Sequence, residues 1–88
     1  MANHKSALKR VRQTAKRRLR NRHAMTTMRT YIKRLRTAVE AGNADEAKTA
    51  LQIAVRALDR AASKGVIHRK QASRRIGRLT KAVNALSS

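Results

Sequence analysis

Apolar residues recur at steps of three and four along most of this chain, the spacing of helices that bury one face. Met25, Met28, Ile32, Leu35 and Val39 make one such stripe, and Ala72, Ile76, Leu79, Val83 and Leu86 make another. Between them lies a much wider apolar arc of Ala47, Ala50, Leu51, Ile53, Ala54, Ala57, Leu58 and Ala61, the pattern of a helix touched on two sides. A further stripe, Leu8, Val11, Ala15 and Leu19, is narrow and points more than a quarter-turn away from the Met25 to Val39 stripe. It cannot extend the same core.

Glycines punctuate these stripes. Gly42 follows Ala41 and precedes Asn43-Ala44-Asp45-Glu46, so one helix can end on a left-handed glycine and the next begin with Asn43 as N-cap and Glu46 closing a capping box. Gly65 opens a second short connection, after which His68 can cap a third helix while Ile67 staples onto Ala72. The expected helices are about 5–41, 44–64 and 68–86. Gly77 falls inside the third, where it either marks the close approach of another backbone or is a tolerated surface position.

Short connections make successive helices antiparallel, and abundant alanine lets them approach closely. The expected fold is all-α: an antiparallel three-helix bundle with a long, overhanging N-terminal helix. At a rise of about 1.5 Å per residue the first helix would run roughly 55 Å against about 30 Å for the others, so its amino-terminal half must project beyond the bundle.

Composition bounds what such a fold can do. With 88 residues the chain reads as one domain with a small core, no proline, no cysteine and no room for a catalytic pocket. The lack of thiols fits a reducing cytoplasm, and no apolar run approaches a membrane span. Charge changes the picture most. The formal net charge is +19, from 23 basic and 4 acidic residues, and the first 39 residues hold thirteen Lys or Arg and no acid. The overhang carries Lys5, Lys9, Arg10, Arg12, Lys16, Arg17, Arg18, Arg20 and Arg22, which encircle much of the helix. Pairs at i,i+4 such as Lys5 and Lys9, Arg12 and Lys16, and Arg18 and Arg22 repel each other with no carboxylate to offset them.

Helix 3 adds Lys70, Arg74, Arg78 and Lys81 opposite its apolar stripe, flanked by Arg69 and Arg75, as a second basic ridge. Residues 37–63 hold three basic against four acidic residues, a net of −1, so the polar face of helix 2 is expected to turn away from the anion. A polyanion is the stabilising partner this balance calls for. Tyr31 is the only aromatic residue, which removes a platform for stacking unpaired bases and leaves duplex and backbone contacts, for which arginine's planar fork is suited. Segment 2–22 is expected to become helical as phosphates relieve its repulsion. Asn3, Ser6, Gln13, Thr14, Asn21, Thr26, Thr27 and Thr30 add neutral donors along the same helix.

Other chemistries find less support. His4, His23 and His68 stand at no spacing that would chelate a metal, and Tyr31 reads as packing at the core rim. No nucleophile and base pair, paired catalytic carboxylates or glycine-rich phosphate loop is present, so neither an enzyme nor a cofactor is expected. An architectural DNA-binding protein would share the charge but lacks an evident minor-groove wedge here. A membrane-active helix would need a broader apolar face.

Specific strings carry a family likeness. Ala2-Asn3-His4-Lys5-Ser6-Ala7 followed by Lys9-Arg10, then Arg29-Thr30-Tyr31-Ile32-Lys33, resembles the bacterial ribosomal protein S twenty family. Leu58-Asp59, Ala62-Ser63-Lys64-Gly65-Val66-Ile67-His68, Ala72, Arg74 and Leu79 continue the likeness in the same order to the end of the chain. One departure is Arg69-Lys70-Gln71, where that family commonly has Lys-Asn-Lys after the histidine. The resemblance implies a cytoplasmic protein that binds 16S ribosomal RNA during small-subunit (30S) assembly. It implies a monomer within the ribosome, bridging the 5′ domain and the 3′ minor domain. Carried onto matching positions, it implies RNA contacts at Lys5, Ser6, Lys9, Arg10, Arg29, Lys33, Lys64, His68 and Arg74.

Overall fold

A computed structural model of the chain describes residues 2–87, with side chains over 5–86. Three helices follow one another: α1 (Ala2–Glu40), α2 (Ala44–Ser63) and α3 (Arg69–Ser87). The expected boundaries hold to within about a turn, because the same two glycines end α1 and α2. Gly42 and Gly65 have φ of 74° and 75°, the left-handed conformation that a side chain would strain. At the first connection Gly42 N–H donates to the Val39 carbonyl and Asn43 N–H to that of Ala38. At the second, Gly65 N–H donates to Ala62 and Val66 N–H to Ala61. Both are Schellman closures that satisfy carbonyls otherwise orphaned at a helix end.

Asn43 serves both helices it joins. Its side-chain Oδ1 accepts from Glu46 N–H at 3.2 Å, as an N-cap should. The reciprocal half of the expected capping box is pre-empted, since Asn43 N–H already belongs to the Ala38 carbonyl of the preceding helix. His68 caps α3 as anticipated, with Nδ1 accepting from Lys70 N–H at 3.1 Å. Ile67 and Ala72 are both buried in the same cluster beside that cap.

The core is small and wholly apolar. Met28, Leu35, Leu58 and Val83 are its largest fully buried side chains, joined by Ile32, Ala47, Ala54, Ala61, Ala72 and Leu79. No polar or charged side chain is buried among the described residues. Met28 is at the centre, where its flexible thioether fills the space between helices. Helix α2 packs extensively on α1 and on α3, whereas α1 and α3 touch only sparingly. The bundle is therefore open along the α1–α3 side. Ile53, expected in the α2 core arc, is 41% exposed instead, because it stands about 100° around the helix from Ala54, beside the buried face of Ala47, Ala54, Leu58 and Ala61.

The amino-terminal half of α1 projects as its misaligned stripe required. Every side chain from Lys5 to Arg20 is exposed, and Asn21 is the first to be partly covered. Leu8, Val11 and Leu19 are 59%, 65% and 69% exposed, so among the described residues this stripe joins no core. The rod extends the molecule to 67 Å in its long dimension against 21 and 14 Å across. The side chains of Asn3, among the expected neutral donors, and of His4 lie outside the described residues.

Gly77 sits exposed on α3 with nothing within 4 Å of where a Cβ would project, so no second backbone approaches it. Two substitutions should therefore move stability in opposite directions. Gly77→Ala should stabilise by about 1 kcal/mol through helix propensity alone, and Gly65→Ala should destabilise by about 1–2 kcal/mol by straining the left-handed turn. Thermal melts of the free protein measure both. A lower melting temperature for Gly77→Ala would contradict the open-space assignment.

Candidate nucleic-acid interface

Basic side chains occupy several distinct settings. The first is the projecting rod, where Lys5, Lys9, Arg10, Arg12, Lys16, Arg17, Arg18 and Arg20 are exposed around the helix, with Arg22 exposed at its base. Because α1 alone builds this segment, the cations are displayed on more than one side. Nearby anions can then approach from several directions.

The second setting is assembled by tertiary structure. Arg29, Lys33 and Arg36 recur at four and three residues along one flank of α1 and face Arg75 and Arg78 of α3 across an open groove of about 590 Å³. Ile32 and Leu79 line it as well, and no carboxylate does. Like charge on both walls opposes closure, consistent with the sparse contact between α1 and α3. Arg29 and Lys33 were singled out by family likeness, and Arg75 and Arg78 by their place on a basic helix. Their convergence required the fold. Arg36 belongs to the same set and was missed, although its spacing of three from Lys33 signalled a shared face.

The ridge expected on α3 is thereby divided. Lys70 and Arg74 remain exposed on its outer side with Lys81. Arg75 and Arg78 turn toward α1. Arg69 instead lines a cleft between α2 and α3 with Asp59, which departs from a uniformly basic ridge. The reason is angular. At about 100° per residue, positions that flank an apolar stripe on its two sides face different neighbours.

Several neutral donors also resolve. Thr26 and Thr30 donate their hydroxyls to the Arg22 and Thr26 carbonyls at 2.9 Å each, one turn back in α1, so these protons serve the helix itself. Tyr31 packs partly buried against the core, as its position suggested, and Arg34 lies over its ring at 5.6 Å from the centroid. That cation–π contact covers one ring face. His68 uses Nδ1 as the α3 cap, which requires the proton on Nε2 at an otherwise exposed residue. Lys64, at the C-cap of α2, is exposed. Among the described residues no group of His, Cys, Asp and Glu could hold a metal ion, and no helix is long and apolar enough to cross a membrane.

Comparison with known proteins connects this geometry to a family. Residues 2–84 match the family model for ribosomal protein S20. The chain is 60% identical over 86 residues to the small ribosomal subunit protein bS20 of Geobacter sulfurreducens, covering 98% of this chain and 99% of that protein. It is 62% identical over 87 residues to the protein of the same name from Geotalea daltonii, covering 99% and 100% respectively. Identity to the bS20 of Geobacter metallireducens is 52% over 86 residues. A three-helix chain with an acid-free basic rod, matched from end to end at this level, belongs to the ribosomal protein S20 family.

Proposed function

We propose that this protein binds 16S ribosomal RNA directly and bridges two of its regions, the 5′ domain and the 3′ minor domain, during assembly of the small subunit. Its family is one of ribosomal constituents and not of enzymes, which makes the ribosome in the cytoplasm its place of work. The whole chain, 1–88, acts as one RNA-binding unit and as a monomer within the particle. The observation that carries the reading is the rod: cations from Lys5 to Arg22 surround a helix on which no acid occurs before Glu40.

Phosphates supply the charge that this rod lacks. Arg12, Lys16, Arg17, Arg18, Arg20 and Arg22 contact backbone on more than one side, while Lys5, Ser6, Lys9 and Arg10 engage it near the tip. The α1–α3 groove takes a further stretch of backbone between Arg29 and Lys33 on one wall and Arg75 and Arg78 on the other. Arg69, Lys70 and Arg74 extend this surface along α3. Lys64 and the outward Nε2–H of His68 add donors at the α2–α3 turn. Such contacts position the protein on folded RNA and do not read base sequence.

Folding and binding are coupled at the tip. Tertiary packing supports α1 only from about Asn21 onward, and isolated helical segments with repeated like-charge pairs are marginal in water. In low salt without RNA, circular dichroism of the free protein should report less helix than three complete helices contain, with the shortfall restored on adding 16S RNA. Full helicity of residues 2–22 in the free protein at low salt would contradict this coupling.

Replacing Arg17, Arg18 and Arg20 together by alanine should weaken RNA binding and reduce the slope of log affinity against log salt by about three, one unit per lost phosphate contact. The bundle should remain folded, because all three side chains are exposed on the rod. A salt titration of RNA binding tests this. An unaltered slope would remove these residues from the interface.

A further inference from the structure

The flank of α1 opposite the Arg29 to Arg36 row holds a second groove, of about 410 Å³, formed against α2. Its charged lining consists of Arg56, Arg60 and Lys64, His23 lines it as well, and Tyr31 and Ile53 supply apolar surface. No carboxylate lines it. The net charge of −1 over residues 37–63 conceals this arrangement, because the acids are segregated. Glu40 ends α1 in a cleft with Arg36 and, from α3, Arg78; Asp45 and Glu46 occupy the first turn of α2, and Asp59 lines the cleft on the α3 side of α2. The α2 surface beside α1 is left basic.

We infer that the α1–α2 groove is a second binding surface for RNA backbone, so that the protein holds two separate RNA segments on opposite flanks of α1. This rests on the RNA-binding function proposed above and adds α2 to it.

The geometry favours a strand over a single anion. Arg56, Arg60 and Lys64 are spaced by four residues, which sets them about 6 Å apart along α2. They form a row, with the apolar surface of Ile53 and Tyr31 within the same groove. Sugar–phosphate backbone alternates charge with less polar sugar and suits such a lining. Tyr31 already has Arg34 over one ring face, which disfavours insertion of a base and leaves the backbone as the recognised feature. Ile53, at 41% exposure, is the large apolar side chain of α2 that the core leaves open, and it lies in this groove. An acidic protein segment could answer the charge. The groove's apolar lining is limited to Ile53, Tyr31 and small alanines, however, which offers an anchoring side chain little to bury against and weighs against that occupant.

The test compares two double variants of the full-length protein, R56A/R60A and R75A/R78A, bound to 16S ribosomal RNA. All four side chains are exposed, and circular dichroism verifies that each variant keeps its helices. R56A/R60A should lower the salt slope by about two and weaken binding. In a hydroxyl-radical footprint it should expose a set of nucleotides different from the set exposed by R75A/R78A. R56K/R60K, which retains charge, should preserve most of the slope. Binding, slope and footprint of R56A/R60A equal to those of the unmodified protein would overturn the inference while R75A/R78A still weakens binding. Loss of the same nucleotides in both variants would overturn the two-segment arrangement. Failure of the unmodified protein to bind the RNA would instead reject the proposed function, and this surface with it.

Discussion

Electrostatic repulsion among cations that have no carboxylate beside them is the constraint to which the rest of this molecule answers. A net charge of +19 on 88 residues exceeds what solubility requires and works against any compact arrangement of the chain. The fold accommodates it by separation. One helix carries much of its charge away from the core on a rod, and other cations line two open grooves or stand exposed on the outer side of α3. The four acids stand apart from these linings: Asp45 and Glu46 in the first turn of α2, Asp59 in the α2–α3 cleft, and Glu40 at the end of α1, in the adjoining cleft with Arg36 and Arg78.

Against that repulsion stands a modest apolar core. Its largest fully buried side chains number four, and alanines supply much of the remaining contact. Helix α2 is the element that makes this sufficient, because it packs on both neighbours while α1 and α3 need not meet closely. Two Schellman turns on left-handed glycines and the Asn43 and His68 caps close the helix ends without long loops. The chain thereby gains a rigid base from which α1 can project. Without α2 between them, the cationic flanks of α1 and α3 would have no common frame.

That same frame converts charge into shape. Arg29, Lys33 and Arg36 lie on one flank of α1, and His23 and Tyr31 lie on another, so a single helix contributes to two grooves that open in different directions. A member of the ribosomal protein S20 family built in this way presents basic side chains in two separate grooves. The bridging proposed above would use this placement of the helices and would require no recognition of base sequence.

Much of this was legible in the order of residues. Apolar spacing identified all three helices, glycine and asparagine placed their ends, and the misaligned Leu8 to Leu19 stripe required an overhang. These are local properties, settled by backbone preference and by the period of one helix at a time. The meeting of Arg75 and Arg78 with Arg29 and Lys33, the diversion of Arg69 toward Asp59, and the exposure of Ile53 were not local. Each depends on which flank of a helix faces which neighbour, a matter of packing angle that the linear pattern leaves undetermined. Net charge over a segment likewise hid Arg56 and Arg60, since a sum discards direction. The sequence by itself determined the elements, their caps and the sign of the partner. Only the tertiary structure decided where the cations converge, because convergence is a relation between helices and exists only after they have packed.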